Sequence, residues 1–138
     1  MIKGLSHAHV WVLDQESAKA FYTEKLGFEV KTDRRMDDGF RWITVHAPEQ
    51  PDVLLVLGEI GPPMIAEQQA PKLRELVAMG TFGFGVLRTD DCRATYDQLV
   101  AKGVDFLQEP QRRPYGVEAV LRDDSGNWFA LTEAEAAP

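Results

Sequence analysis

Two closely spaced histidines and three tryptophans are the groups in this chain best suited to hold a ligand or move a proton. His7 and His9 stand two residues apart in His7-Ala8-His9-Val10-Trp11. On an extended strand their imidazoles project to the same side. Imidazole serves as a metal ligand or as a general base near neutral pH. A catalytic Zn, Fe, Mn or Ni site needs about three protein donors from His, Asp, Glu or Cys. With His7 and His9 as two of them, the third would be a carboxylate such as Glu118 or a residue of a partner chain. His46 is the remaining histidine. Trp11, Trp42 and Trp128 offer faces for stacking on a flat ligand, core filling being the competing role of each.

Other candidates carry less. Arg112, Arg113 and Tyr115 fall in the stretch Pro110–Gly116, which reads as a loop able to rim a binding mouth or simply to be solvated. Cys92 is placed at a helix N-terminus, where the helix dipole lowers a thiol pKa, but no base accompanies it. Glu133 follows the last apolar run and is expected to point to solvent. Gly80, Gly83 and Gly85 lie within or beside a strand rather than ahead of a helix, so no phosphate-binding loop is present. No Ser–His–Asp set on an elbow turn is visible either.

These residues are positioned by a strand–helix unit that occurs twice. In Leu5–Phe28 the strand residues are apolar or aromatic on both sides, so both faces are expected to be covered. Asp14 is a helix N-cap. Ala18, Phe21, Tyr22 and Leu26 form one stripe of the helix, and Gly27 ends it. The plan returns at Thr81–Phe106, where Asp90 and Gly103 have the spacing of Asp14 and Gly27.

Around these units the first half continues as strands Phe28–Arg35, Phe40–Ala47 and Asp52–Gly58, with a hairpin turn at Asp37-Asp38-Gly39. The second half gives strand Phe82–Thr89, helix Asp91–Lys102, and strands Asp105–Gln108, Val117–Arg122 and Trp128–Glu133. A tight turn at Asp123–Asn127 precedes the last strand. Residues 59–80 form a linker with a helix over Ala66–Met79, and Ala134–Pro138 are expected to fray. The fold class is α+β, with two βαβββ modules at about residues 5–58 and 81–133 of one domain spanning 1–138.

The chain has 138 residues, 44% of them apolar, as in an ordinary globular protein. Its net charge of −7 and pI near 4.9 argue against nucleic acid or an anionic membrane as partner. No apolar run approaches the roughly 18 residues of a membrane span. Met1–Leu5 leads into a strand without a signal-peptide core, and the single cysteine excludes an internal disulfide. A soluble, cytoplasmic protein is expected.

A doubled βαβββ unit with H-x6-D at His7–Asp14, FY-x3-LGF at Phe21–Phe28, KGV at Lys102–Val104 and a closing D-x-GN turn resembles the vicinal oxygen chelate superfamily. That is the family of glyoxalase I, extradiol dioxygenases, fosfomycin-resistance enzymes and bleomycin-resistance proteins. The resemblance implies paired modules whose sheets curl around a cavity, and a homodimer. It also implies a divalent metal held by residues of the first and last strand of each module. Carried onto this chain, those positions fall on His7, near Leu55, on Phe84 or Gly83, and on Ala130. His7 alone keeps a donor, so no metal or other cofactor is expected. The implied function is binding of a small, largely apolar or aromatic molecule in a metal-free cavity lined by His7, His9, Trp11, Trp42, Leu55, Phe84, Tyr115, Trp128 and Ala130. This is similar to the drug-sequestering bleomycin-resistance branch. The rival is an enzyme: a metal-dependent lyase or dioxygenase with shifted ligands, or a metal-free isomerase using His7 or His9 as base.

Overall fold

The structure, a computed structural model, describes residues 1–134. Strand β1 (His7–Val12) leads into helix α1 (Gln15–Ala20), which continues as one π turn, Phe21–Lys25. Strands β2 (Glu29–Arg35), β3 (Arg41–His46) and β4 (Leu54–Glu59) complete the first module. Helix α2 (Ala70–Ala78) lies between the modules. The second comprises β5 (Gly83–Arg88), α3 (Cys92–Ala101), β6 (Asp105–Arg113), β7 (Gly116–Arg122) and β8 (Trp128–Ala134). The sheets run β1-β4-β3-β2 and β5-β8-β7-β6, with β1–β4 and β5–β8 parallel and the other pairs antiparallel. This is the expected α+β architecture. Ala134 closes β8, and the remainder of the segment expected to fray lies outside the described residues.

The repeat is real, but its register differs by one residue from the sequence reading. The second cap is Asp91, not Asp90: Asp91 Oδ1 accepts from the Ala94 amide at 2.9 Å, as Asp14 Oδ1 accepts from Ser17. The first copy is therefore one residue longer between cap and terminal glycine, and the π turn absorbs the excess. In α3 the chain leaves by a Val104 amide bond to Leu99 O, and in the first copy by a Phe28 amide bond to Tyr22 O, one residue further. Gly27 and Gly103 both take the left-handed conformation, at φ 76° and 86°.

Two expected boundaries also move. Pro110–Gly116 is not a loop: β6 runs to Arg113, pairing Gln111 with Glu118 and Arg112 with Val117. A bulge between Gln108 and Gln111 takes up Pro110, which has no N–H for the ladder. The linker helix begins at Ala70 rather than Ala66, with Pro71 in its first turn, where its missing N–H costs nothing.

One face of each sheet packs on its helix, and the two interiors merge. Val10, Val12, Ile43, Val45 and Leu57 of the first module join Cys92, Leu99, Leu121, Phe129 and Leu131 of the second in a single core cluster. Each such side chain contributes about 1.5–3 kcal/mol by leaving water. The Asp123–Asn127 turn fastens the modules together. Asp123 Oδ1 accepts from the amides of Ser125, Gly126 and Asn127, each at 2.9 Å. Ser125 Oγ then accepts from the Leu13 amide, and Asn127 Nδ2 donates to Trp11 O, at 2.9 and 2.8 Å.

Candidate functional site

Strand parity divides the expected site residues between two faces. In the parallel β1–β4 ladder His7 faces Leu54, His9 faces Val56 and Trp11 faces Gly58. These residues lie opposite the helix-covered face. Thr44 of β3 pairs with Val56, so Thr44 and Trp42 share that side. The result is an aromatic plate. Trp42 lies 6.0 Å from each of the His7 and His9 rings, His9 is 5.3 Å from Trp11, and Phe40 is 5.8 Å from Trp42. Trp11 lies flat on the sheet because residue 58 is glycine: a Cβ there would come within 2.7 Å of the indole.

Across the plate run two buried polar atoms without a hydrogen-bond partner, His9 Nε2 and Thr44 Oγ1. Val56 separates them in the row His9–Val56–Thr44. An unsatisfied buried polar atom costs about 1–3 kcal/mol, so the row is set to accept hydrogen bonds from something placed on it, or to donate them. His7 is occupied differently, with Nδ1 2.9 Å from Ser6 Oγ.

Leu55 is not on this face. It pairs with Ala8, and with Phe84 it packs against the common core. The position expected there belongs to Val56, which is fully buried. In β5 a register shift between Gly83 and Gly85 turns Phe84 toward Phe129, 6.3 Å ring to ring, and Gly83 takes the place opposite Trp128. A Cβ on Gly83 would meet the Trp128 ring at 2.2 Å, the same flat-lying arrangement as Trp11 on Gly58. Ala130 is buried, between Val86 and Val120.

The residues that stand where the resemblance implies metal ligands are thus His7, Val56, Gly83 and Ala130, with one donor among them. The set does not fit a divalent ion. Glu118, the conjectured third donor, lies in the other module's sheet and accepts from Tyr115 Oη at 2.8 Å, with Arg113 Nε at 3.7 Å. Its hydrogen bond raises the Tyr115 phenol above the usual tyrosine range. Arg113 also donates to Gln108 Oε1 at 3.0 Å. Tyr115 is exposed and stands apart from the plate, in the second sheet's β6–β7 hairpin. Among the described residues no group of three or more His, Cys, Asp and Glu is placed to hold a metal ion.

One further expectation is corrected. Glu133 does not point to solvent: its Oε1 accepts from the Cys92 amide at 2.7 Å and caps α3. The Cys92 thiol is not activated by the helix, because burial and the adjacent Glu133 carboxylate push its pKa up. Thr44, Phe40 and Gly58 were missed in the sequence, although Phe40-x-Trp42-x-Thr44 alternates as one strand face would.

The chain belongs to the glyoxalase/bleomycin resistance protein/dioxygenase superfamily, whose family model matches residues 4–131. The crystal structure of UcmS2 is 51% identical, with a TM-score of 0.93 over 97% of this chain and 100% of that one. TnmS3, an antibiotic binding protein from Streptomyces sp. CB03234, is 33% identical, with a TM-score of 0.76 over 97% and 98%. Among curated sequences, protein YetH of Bacillus subtilis (strain 168) is 32% identical over 133 residues, covering 96% of this chain and all of that protein. No helix among the described residues is long and apolar enough to cross a membrane.

Proposed function

We propose that this chain binds a small, largely apolar aromatic molecule of the antibiotic kind, stacked on the plate of His7, His9, Trp11 and Trp42 without help from a metal. The observation that carries this reading is the coincidence of stacking faces with two unpartnered buried polar atoms, His9 Nε2 and Thr44 Oγ1, in one row beneath them. Rings supply apolar contact area, and the polar row fixes orientation. TnmS3 supports the ligand class, since that relative is an antibiotic binding protein. Within one chain His7, His9, Trp11 and Trp42 are only half-buried, and a second copy lying over the plate would complete the enclosure. A homodimer is therefore part of the proposal.

The test is titration of the untagged protein with bleomycin, daunorubicin and proflavine, following tryptophan quenching, with metal analysis of the same preparation. Saturable quenching by at least one, lost in Trp42→Ala, is the expected result. Failure of all three to quench, or stoichiometric bound metal, would overturn the reading. The alternative of a metal-free isomerase, with His9 as its general base, is favoured by the same unpartnered His9 Nε2. It predicts conversion of the bound molecule, visible as product after incubation.

A further inference from the structure

The two ends of the junction between the modules are not alike. At one end the Asp123–Asn127 turn inserts and is bonded through Tyr22, Leu13 and Trp11. Near the other end lies the corresponding β3–β4 turn, whose backbone bonds among the described residues stay within the first module: Gln50 N to Ala47 O, Val53 N to Gln50 O, and Leu54 N to Ser6 O. By cap alignment the counterpart of Tyr22 in α3 is Leu99, which has no hydroxyl to draw a turn inward. Space is left there, a cavity of about 510 Å³.

We infer that this cavity is a second small-molecule site, distinct from the aromatic plate. Ala8, Phe28, Leu55, Phe84 and Phe129 line it, with Arg88, His46 and Glu49 also on its wall. Ala8 and Leu55 project to the opposite side of β1 and β4 from His7, His9 and Trp11, so the sheet separates the two sites. The volume lies in the range of ligand pockets, about 300–1,000 Å³. Phe28, Leu55 and Phe84 belong to the common core yet remain partly exposed. The Arg88 side chain makes no ion pair or hydrogen bond with the described residues, and its guanidinium carries only donors. His46 is committed, with Nδ1 2.8 Å from Ala47 O and Nε2 3.7 Å from Glu29. Glu49 is the opposing charge on the wall. The occupant these surroundings select is an aromatic molecule with an acceptor-rich or anionic edge: rings between Phe28, Phe84 and Phe129, edge toward the rim of the cavity, where the exposed Arg88 stands.

The test uses 8-anilinonaphthalene-1-sulfonate as probe on the full chain, with methyl-resolved NMR to locate it. Saturable binding that shifts the methyls of Leu5, Val53 and Leu87 but not that of Val56 is expected. Leu55→Trp, filling the cavity, should weaken binding by about tenfold or more, and Arg88→Gln should weaken it to a smaller degree. Trp42→Ala, which disables the plate, should leave it unchanged, so failure here and failure of the plate reading are separable. Shifts centred on Val56 and the Trp11 indole, loss of binding in Trp42→Ala, or no saturable binding would each overturn the proposal. The NMR map on the unaltered protein decides the matter even if Leu55→Trp does not fold.

Discussion

The Tyr22 hydroxyl donates to Asp123 Oδ2 at 2.7 Å, joining the helix of the first module to the closing turn of the second. The bond is buried, and burial beside the Asp123 carboxylate lifts the phenol well above its ordinary pKa. Asp123 Oδ2 also takes the side-chain amide of Asn127, at 3.1 Å. One carboxylate thus organises both the turn and the junction between modules.

Replacing Tyr22 with Phe leaves that buried carboxylate short of a donor. The expected loss is about 1.5–3 kcal/mol, the usual worth of a hydrogen bond to a charged group. Urea unfolding checks it, with ligand binding at the plate retained in the folded variant.

Gly58→Ala drives a methyl into the indole of Trp11, which would sit 2.7 Å from the new Cβ. Overpacking of this kind costs about 1–3 kcal/mol. The plate is deformed as well, so the expected signature is a changed tryptophan emission maximum together with weakened quenching by the aromatic probes.

Asp33 lies between Arg41 and Lys19, with Oδ2 2.9 Å from Arg41 Nη2 and 2.7 Å from Lys19 Nζ. Hydrogen bonds from Arg41 and then Lys19 hold its carboxyl well below the usual carboxylate range. A folded-state pKa below the unfolded one means stabilisation that is present at neutral pH. It begins to fade as pH falls through the unfolded value, about 3.9, and is lost below the folded one. Asp33→Asn should lower stability at pH 7 by about 0.5–1 kcal/mol, given the partial exposure of the pair. The gap from the parent should close as the medium is acidified, which melting curves at stepped pH will show.

Glu133→Ala removes the acceptor for the Cys92 amide at the start of α3. A lost cap of this sort costs about 0.5–2 kcal/mol. Glu133→Gln keeps an acceptor oxygen and should recover most of it, a contrast that thermal denaturation resolves.

Local patterns carried the fold. Asp14, the apolar stripe through Tyr22 and Gly27 specify a capped and terminated helix from adjacent residues alone, and the same grammar at Cys92–Gly103 marks the repeat. The single-residue excess in the first copy was invisible, because an apolar stripe reads equally well through a π turn. The β6 extension was hidden by Pro110, which looks like a loop residue until a bulge is seen to hold it.

The sequence by itself determined the doubled α+β architecture, the shared side of His7, His9 and Trp11, and, once the family resemblance marks four metal positions, the lack of donors at three of them. Those follow from alternation, caps and residue chemistry, all local. Only the tertiary structure decided that Val56 rather than Leu55 shares the face of the aromatic plate, and that Gly83 rather than Phe84 stands opposite Trp128. It also decided that Leu55 and Phe84 line a separate cavity between the modules. The physical reason is that a strand's side chains switch face with every residue. A one-residue difference in register, or one bulge, moves a side chain through the sheet, and the partner strand that fixes the register lies some fifty residues away along the chain.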